Sequence, residues 1–366
     1  MLQSPLHEFH LEHGAQLVEY AGWQMPIRYS SITQEHEQTR TSGGLFDVSH
    51  MGRVKISGRH ARRLLERLCT RDIASMQDGQ CRYSLVCNEQ GGIRDDVIVM
   101  RFEEDDYLVV VNAANREKLL DHFEQVRAAG DMVVKIDDTT MKTAMIALQG
   151  PKVMDLISSV SQEIPALKRY RFTVKNLMIM KLFVSRTGYT GEDGVEIILP
   201  ANGVPMAMKL LLKGAGEASE IIKPCGLGCR DTLRLEAGMP LYGHELTEES
   251  NALGTGLDFA IALDKEGPFI GQDALKRTRD AGGPSRRLVG VSLEGRRTAR
   301  QDMSVRRGDA TIGVVTSGCL SPTLDRSIAM AYVDAEAAEP GGAVHVDAGR
   351  ATLEGEIVKL PFYSRS

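Results

Sequence analysis

At 366 residues, with 42% hydrophobic and 25% charged residues, the chain has the composition of a globular protein long enough for two or three domains. A formal net charge of −5 argues against a nucleic-acid partner or an anionic membrane surface. No apolar run approaches the roughly 20 residues needed to cross a bilayer. The six cysteines are too few and too scattered for a disulfide scaffold, and Cys225 and Cys229 lack the further ligands of a zinc set, so no metal is expected. The first residues, Met1-Leu2-Gln3-Ser4-Pro5, have neither signal nor transit character, which leaves a cytoplasmic location as the expectation.

Taken in order, residues 31–41 read as a helix ended by Gly43 and Gly44, and residues 59–69 as another with Leu64, Leu65 and Leu68 on one face. Residues 115–129 form the clearest helix, and Pro151 suits the first position of a helix over 151–160. Strand-like runs lie at 53–56, 83–87, 96–102, 107–112 and 132–136. Strands and helices mixed at this spacing predict an α+β module between about 50 and 140. A hairpin is expected over 170–184 around Lys175-Asn176, then a strand at 195–199 and helices at 204–212 and 228–237. After Gly282-Gly283-Pro284, short strands at 288–293, 311–315, 328–332 and 343–346 alternate with turn residues, the pattern of a small antiparallel barrel or sandwich.

Four stretches carry candidate chemistry. Gly91-Gly92-Ile93-Arg94-Asp95-Asp96 delivers two carboxylates onto a run of apolar residues. Alternation puts Asp95 on the face of Val97 and Val99, and Asp96 on that of Ile98 and Met100. A carboxylate in such a strand must be paired, protonated or put to use. The glycine loop 185–196 ends with Glu196 inside an apolar strand; it fits a solvated glutamate, or one accepting two adjacent N–H groups of a ligand. Arg230 stands in the first turn of its helix, where the dipole disfavours a cation, so it calls for a carboxylate such as Asp231 or Glu236, or for a polar ligand. Phe46-Asp47-Val48-Ser49-His50-Met51-Gly52 sets Asp, Ser and His together without the glycines of a nucleophile elbow, favouring packing and substrate-wall roles.

Together these stretches resemble the T-protein of the glycine cleavage system, the tetrahydrofolate-dependent aminomethyltransferase family. The resemblance also rests on Ala21-Gly22-Trp23-Gln24-Met25-Pro26, Val111-Asn112-Ala113-Ala114-Asn115, Leu148-Gln149-Gly150-Pro151, Thr316-Ser317-Gly318, Ser321-Pro322-Thr323-Leu324 and Pro361-Phe362-Tyr363, and covers essentially the whole chain. It implies an α+β, three-lobed fold: a first lobe from 1–50 and 142–250, an inserted lobe over 51–141, and 251–366 as linker and C-terminal antiparallel β-barrel. It implies Asp96 as the catalytic aspartate, with Asp95 mattering far less. Glu196 and Arg230 would hold the pterin end, while Met51, Tyr83, Asn112 and Tyr189 would line the folate channel and Arg297 would join from the third lobe. The implied co-substrate is tetrahydrofolate and the implied partner is the lipoylated H-protein. Another folate-dependent one-carbon transferase or demethylase of the same fold would share this folate site. A non-catalytic folate-binding relative would carry a Lys-Gly-Cys-x-Gly-Gln-Glu signature, whereas this chain has Leu241-Tyr242-Gly243-His244-Glu245.

Overall fold

The computed structural model describes residues 1–159, 161–177, 180–213, 218–349 and 351–365. The chain divides into two compact units, Met1–Leu65 with Ile73–Tyr83 and Val97–Asp231, and Glu66–Asp72 with Ser84–Asp96 and Thr232–Ser366. Among the described residues no helix is long and apolar enough to cross a membrane.

The first unit is organised by a six-stranded sheet in the order Phe172–Leu177, Met180–Ser185, Gly194–Pro200, Thr143–Gln149, Gly43–Asp47 and Ile222–Cys225. All neighbours are antiparallel except the last pair. Gly43–Asp47 is buried at every position, so it shows no period-two pattern. The preceding helix, Ile32–Thr41, does stop before Gly43, capped at its start by Ser31 accepting from Gln34 N. Gly43 and Gly44, however, open the strand. A Cβ on Gly44 would lie 2.5 Å from Thr39 Oγ1, so the glycine lets helix and strand touch. Leu45, Ile146, Leu148, Val184, Val195 and Leu199 fill the core against this sheet. A smaller sheet pairs Trp23–Arg28 with Leu2–Gln3 and Gln16–Tyr20.

A five-stranded sheet runs Gln80–Cys87, Ile93–Glu103, Asp106–Val111, Gly52–Ser57 and Lys135–Asp138. The helices Ala61–Leu68 and Arg116–Ala129 bury Leu64, Leu65, Leu68, Leu119 and Phe123, as their spacing predicts. The last strand begins at Lys135, later than the run 132–136 suggested. The predicted hairpin exists, but Lys175 and Asn176 pair with Leu182 and Lys181 inside it, so the strand continues through them; its turn, and the Val160 end of the 151–160 helix, fall outside the described residues.

The second unit contains a closed barrel: Arg286–Leu293, Arg326–Asp334, Ala310–Ser321, Ser304–Arg307, Ala343–Asp347 and Thr352–Val358, the last returning to the first. All its pairings are antiparallel. Val291, Val305, Ala331, Val346 and Ile357 fill its interior, and closure leaves no strand edge open.

Candidate active site

Strand register assembles the first part of the site. Ser185 opposes Glu196, Glu196 opposes Ala147, and Ala147 opposes Phe46. Directly opposed residues project from the same face, so Glu196 and Phe46 share one face with only a methyl group between them. The Arg230 guanidinium lies 6.0 Å from the Phe46 ring centre and 5.0 Å from that of Tyr189, within reach of both π-faces. Glu196 accepts a 2.5 Å hydrogen bond from Thr187 Oγ1 and remains half-buried.

The loop carrying Tyr189 is held from below. Gln149, fully buried, donates to Thr187 O at 3.1 Å and accepts from Thr190 Oγ1 at 3.0 Å. A Cβ on Gly188 would stand 1.9 Å from Gln149 Oε1, so glycine is required there. Arg40 donates to Thr190 O and to Glu192 Oε1, and Arg186 makes a forked pair with Asp193. Burial raises the Asp193 pKa, but the Arg186 bonds outweigh it and the net shift is downward.

The turn after Gly43–Asp47 is clamped at both ends. Asp47 is 2% exposed and accepts from Ser49 N at 2.8 Å, from Ser4 Oγ at 2.5 Å and from His10 Nε2 at 2.8 Å. Burial alone would raise its pKa; the bonds from His10, Ser4 and Ser49 win, and the carboxyl is held below its usual range. Burial, reinforced by the Asp47 charge, drives the Tyr29 phenol far above its ordinary value. Tyr29 therefore keeps its proton and donates to His10 Nδ1 at 2.7 Å, while His10 Nε2–H donates to the carboxylate. At the other end Arg53, buried and without a carboxylate ion pair among the described residues, donates to the carbonyls of Ser49, Met51, Thr140 and Thr143 and to Thr143 Oγ1. Burial lowers its pKa to about 10, which leaves it cationic at neutral pH. Ser49 is fully buried and donates to Met145 O, so it offers no reachable nucleophile. The hydrogen-bond partner of Asp47 is His10, while His50 feels the Asp47 charge without bonding to it among the described residues.

His50 is 5% exposed and meets the edge of Tyr20 at 5.4 Å between ring centres. Burial pushes its imidazole down to about 4, with Arg230 and Arg53 adding to the shift and Asp47 opposing it. The next residue, Met51, is half-buried. The pairing of Gly52 with Val111 sets Met51 and Asn112 at the same end of the five-stranded sheet. Tyr83, also half-buried, lies on Gln80–Cys87.

The strand Ile93–Glu103, whose residues 93–96 belong to the second unit and 97–103 to the first, shows the expected alternation, with an unexpected emphasis. Asp95 is fully buried alongside Ile93, Val97 and Val99, while Asp96 is half-buried. Arg297 is exposed in the loop that follows Arg286–Leu293. Buried Glu35, Cys225 and Cys229 bring three possible ligand atoms within 4.8 Å, a grouping invisible to sequence spacing because Glu35 is so distant. Glu35 already accepts from Tyr29 N, Ser30 N and Gly226 N, and burial drives the Cys229 thiol well up. His10, Tyr29, Arg53 and Arg40 escaped sequence reading, and Gln149 entered it only within Leu148-Gln149-Gly150-Pro151, with no role given. The usable signal was Arg53, a cation inside the otherwise strand-like Gly52–Ser57.

The sequence model of the GCVT N-terminal domain matches residues 6–265, and that of the glycine cleavage T-protein C-terminal barrel domain matches 286–364. An aminomethyltransferase of Rubrobacter xylanophilus is 48% identical over 99% of this chain and 94% of its own length. That of Bacillus pumilus is 41% identical over 100% and 99%. The crystal structure of glycine cleavage system aminomethyltransferase T from Bartonella henselae superposes with a TM-score of 0.90 at 31% identity, covering 99% of this chain and 98% of that one. The chain belongs to the glycine cleavage T-protein family and is an enzyme of the aminomethyltransferase type.

Proposed function

We propose that this enzyme takes the aminomethyl carbon from the lipoyl arm of an H-protein and passes it to tetrahydrofolate in the cytoplasm. The reaction balances as R–S–CH2–NH2 plus the N5–H and N10–H of tetrahydrofolate, giving R–SH, ammonia and a methylene bridge between N5 and N10. The two protons lost from nitrogen end on sulfur and on the departing amine. Loss of the amine leaves positive charge on carbon, and ring closure releases a proton from N10. Asp96 is the catalytic residue in this reading: its carboxylate stabilises that charge and takes or relays that proton. Positioned electrostatics of this kind contribute about 3–4 kcal/mol per group.

The observation that carries the reading is the row Glu196–Ala147–Phe46 together with the Arg230 guanidinium, which faces both the Phe46 and the Tyr189 rings. A carboxylate, a guanidinium and two aromatic rings separated by a methyl group suit a flat heteroaromatic ring with adjacent N–H groups, as in a pterin. Glu196 and Arg230 hold that ring, Met51, Tyr83, Asn112 and Tyr189 line the folate channel, and Arg297 joins them from the third lobe. The lobes are 1–50 with 142–250, 51–141, and 251–366.

The test is calorimetry with tetrahydrofolate on wild type and Glu196→Ala, paired with assay of methylene-tetrahydrofolate from aminomethylated H-protein. The expected results are binding lost on truncation and product formed by wild type. Demethylation of small N-methyl or thioether compounds, with no turnover of H-protein, would overturn the assignment.

A further inference from the structure

We infer that His50 is a direct contact for the neutral pterin edge of the folate, acting beside Arg230. The inference rests on the folate reading and adds a residue to it.

Three observations converge. First, the turn is built to present this ring. Asp47 holds Ser49 N, Arg53 holds the Ser49 and Met51 carbonyls, and Ser49 Oγ exchanges hydrogen bonds with the Met145 backbone. The residues flanking His50 are fixed by these bonds, while the His50 ring itself meets only the edge of Tyr20 among the described residues. Second, His50 is 5% exposed, yet its Nδ1 is buried without a hydrogen-bond partner among the described residues. A buried polar atom left unpaired is costly, and native structures supply partners for most such atoms. Third, Arg230 Nη1 is a second buried atom lacking a partner among the described residues, and its charge acts on His50. Two neighbouring unmet demands for hydrogen bonds point to one ligand.

The charges select its kind. Arg230 and Arg53 both bear on the ring, and burial keeps the imidazole neutral at working pH. The Asp47 carboxylate opposes these two guanidiniums, so burial decides the state of the ring, and a neutral imidazole presents one donor and one acceptor. A neutral heteroaromatic edge is favoured, because it offers both acceptors for Arg230 and a donor or acceptor for a neutral imidazole.

Tetrahydrofolate itself is the probe, titrated into wild type, His50→Phe and His50→Gln. Phe keeps the ring shape without nitrogen; Gln keeps a hydrogen-bonding side chain. The expected result is about tenfold weaker binding for Phe, the loss of one buried hydrogen bond, with partial recovery in Gln. KM for folate should rise in parallel, while KM for aminomethylated H-protein stays at the wild-type value. If Phe binds tetrahydrofolate as wild type does, the contact is refuted. If wild type itself fails to bind, the folate reading falls. Should Phe not fold, histidine-labelled wild type is read by 15N resonance, with His50 assigned by its disappearance in Gln. Its ring nitrogens should shift when tetrahydrofolate is added, and unchanged resonances refute the contact.

Discussion

Asp47 in the first unit and Glu236 in the second are both buried carboxylates that accept from hydroxyls and a backbone N–H. Asp47 takes Ser4 Oγ, His10 Nε2 and Ser49 N; Glu236 takes Ser321 Oγ, Thr323 Oγ1 and Thr323 N. Their surroundings differ. Beside Glu236, Arg234 closes onto Glu245 at 2.9 Å and onto Ser317 Oγ, so the charge there ties strands and loops of the second unit to one another. Beside Asp47, the clamped turn leads to His50 and Arg230, each with a buried nitrogen unpaired among the described residues. Buried charge by itself therefore marks structure. Glu245 Oε1 also lacks a partner among the described residues, so what sets the Asp47 side apart is that two such nitrogens, one on an imidazole and one on a guanidinium, fall beside one clamped turn.

The contrast breaks first at its structural end. Arg234→Met would leave Glu245 buried and uncompensated, and should cost about 3–5 kcal/mol in urea unfolding, with little change in folate affinity once folded. Arg53→Met uncovers the carbonyls of Ser49, Met51, Thr140 and Thr143. It should cost about 3 kcal/mol and, unlike the first variant, weaken tetrahydrofolate binding, because the turn carries Met51 and His50. Equal affinity in the two variants would erase the distinction.

The third test is pH. The folded-state pKa of His50, about 4, lies below the unfolded value of 6.5, so between these values the unfolded chain binds the extra proton. Stability must therefore fall as the solution is acidified, by about 2 kcal/mol from pH 6.5 to 5. Asp47 has the opposite timing: its depressed pKa contributes stability that is lost only below the ordinary carboxylate range, outside this window. Denaturant unfolding of His50→Phe should show the slope flattened, and an unchanged slope would contradict the burial of a neutral imidazole. The smallest effect belongs to Arg186→Lys. Its pair with Asp193 is partly solvated, so losing the fork should cost no more than about 1 kcal/mol, seen as a small drop in midpoint.

Much of this was legible in the sequence, for physical reasons that differ by element. Helices with apolar stripes, such as Ala61–Leu68, declare themselves because the buried face is hydrophobic. Ile32–Thr41 buries Glu35, His36, Thr39 and Arg40, so its helix was visible while its packed face was not. Gly43–Asp47 was hidden because two glycines read as a stop. Ser304–Arg307 and Thr352–Val358 were hidden because closure into the barrel overrides polar, glycine-broken runs. Period-two alternation correctly separated Asp95 from Asp96, yet spacing could not tell which face is the drier. The bond between His10 and Asp47 joins residues 37 apart, a pairing that only the fold creates.

Single-turnover formation of methylene-tetrahydrofolate from aminomethylated H-protein, with wild type, Asp96→Asn and Asp95→Asn side by side, is the most direct measurement. Asp96→Asn should bind tetrahydrofolate normally and lose about 10²–10³-fold in rate. Asp95→Asn should lose stability through its buried position while the folded fraction turns over at a rate close to wild type. A near-normal rate for Asp96→Asn would contradict the central assignment.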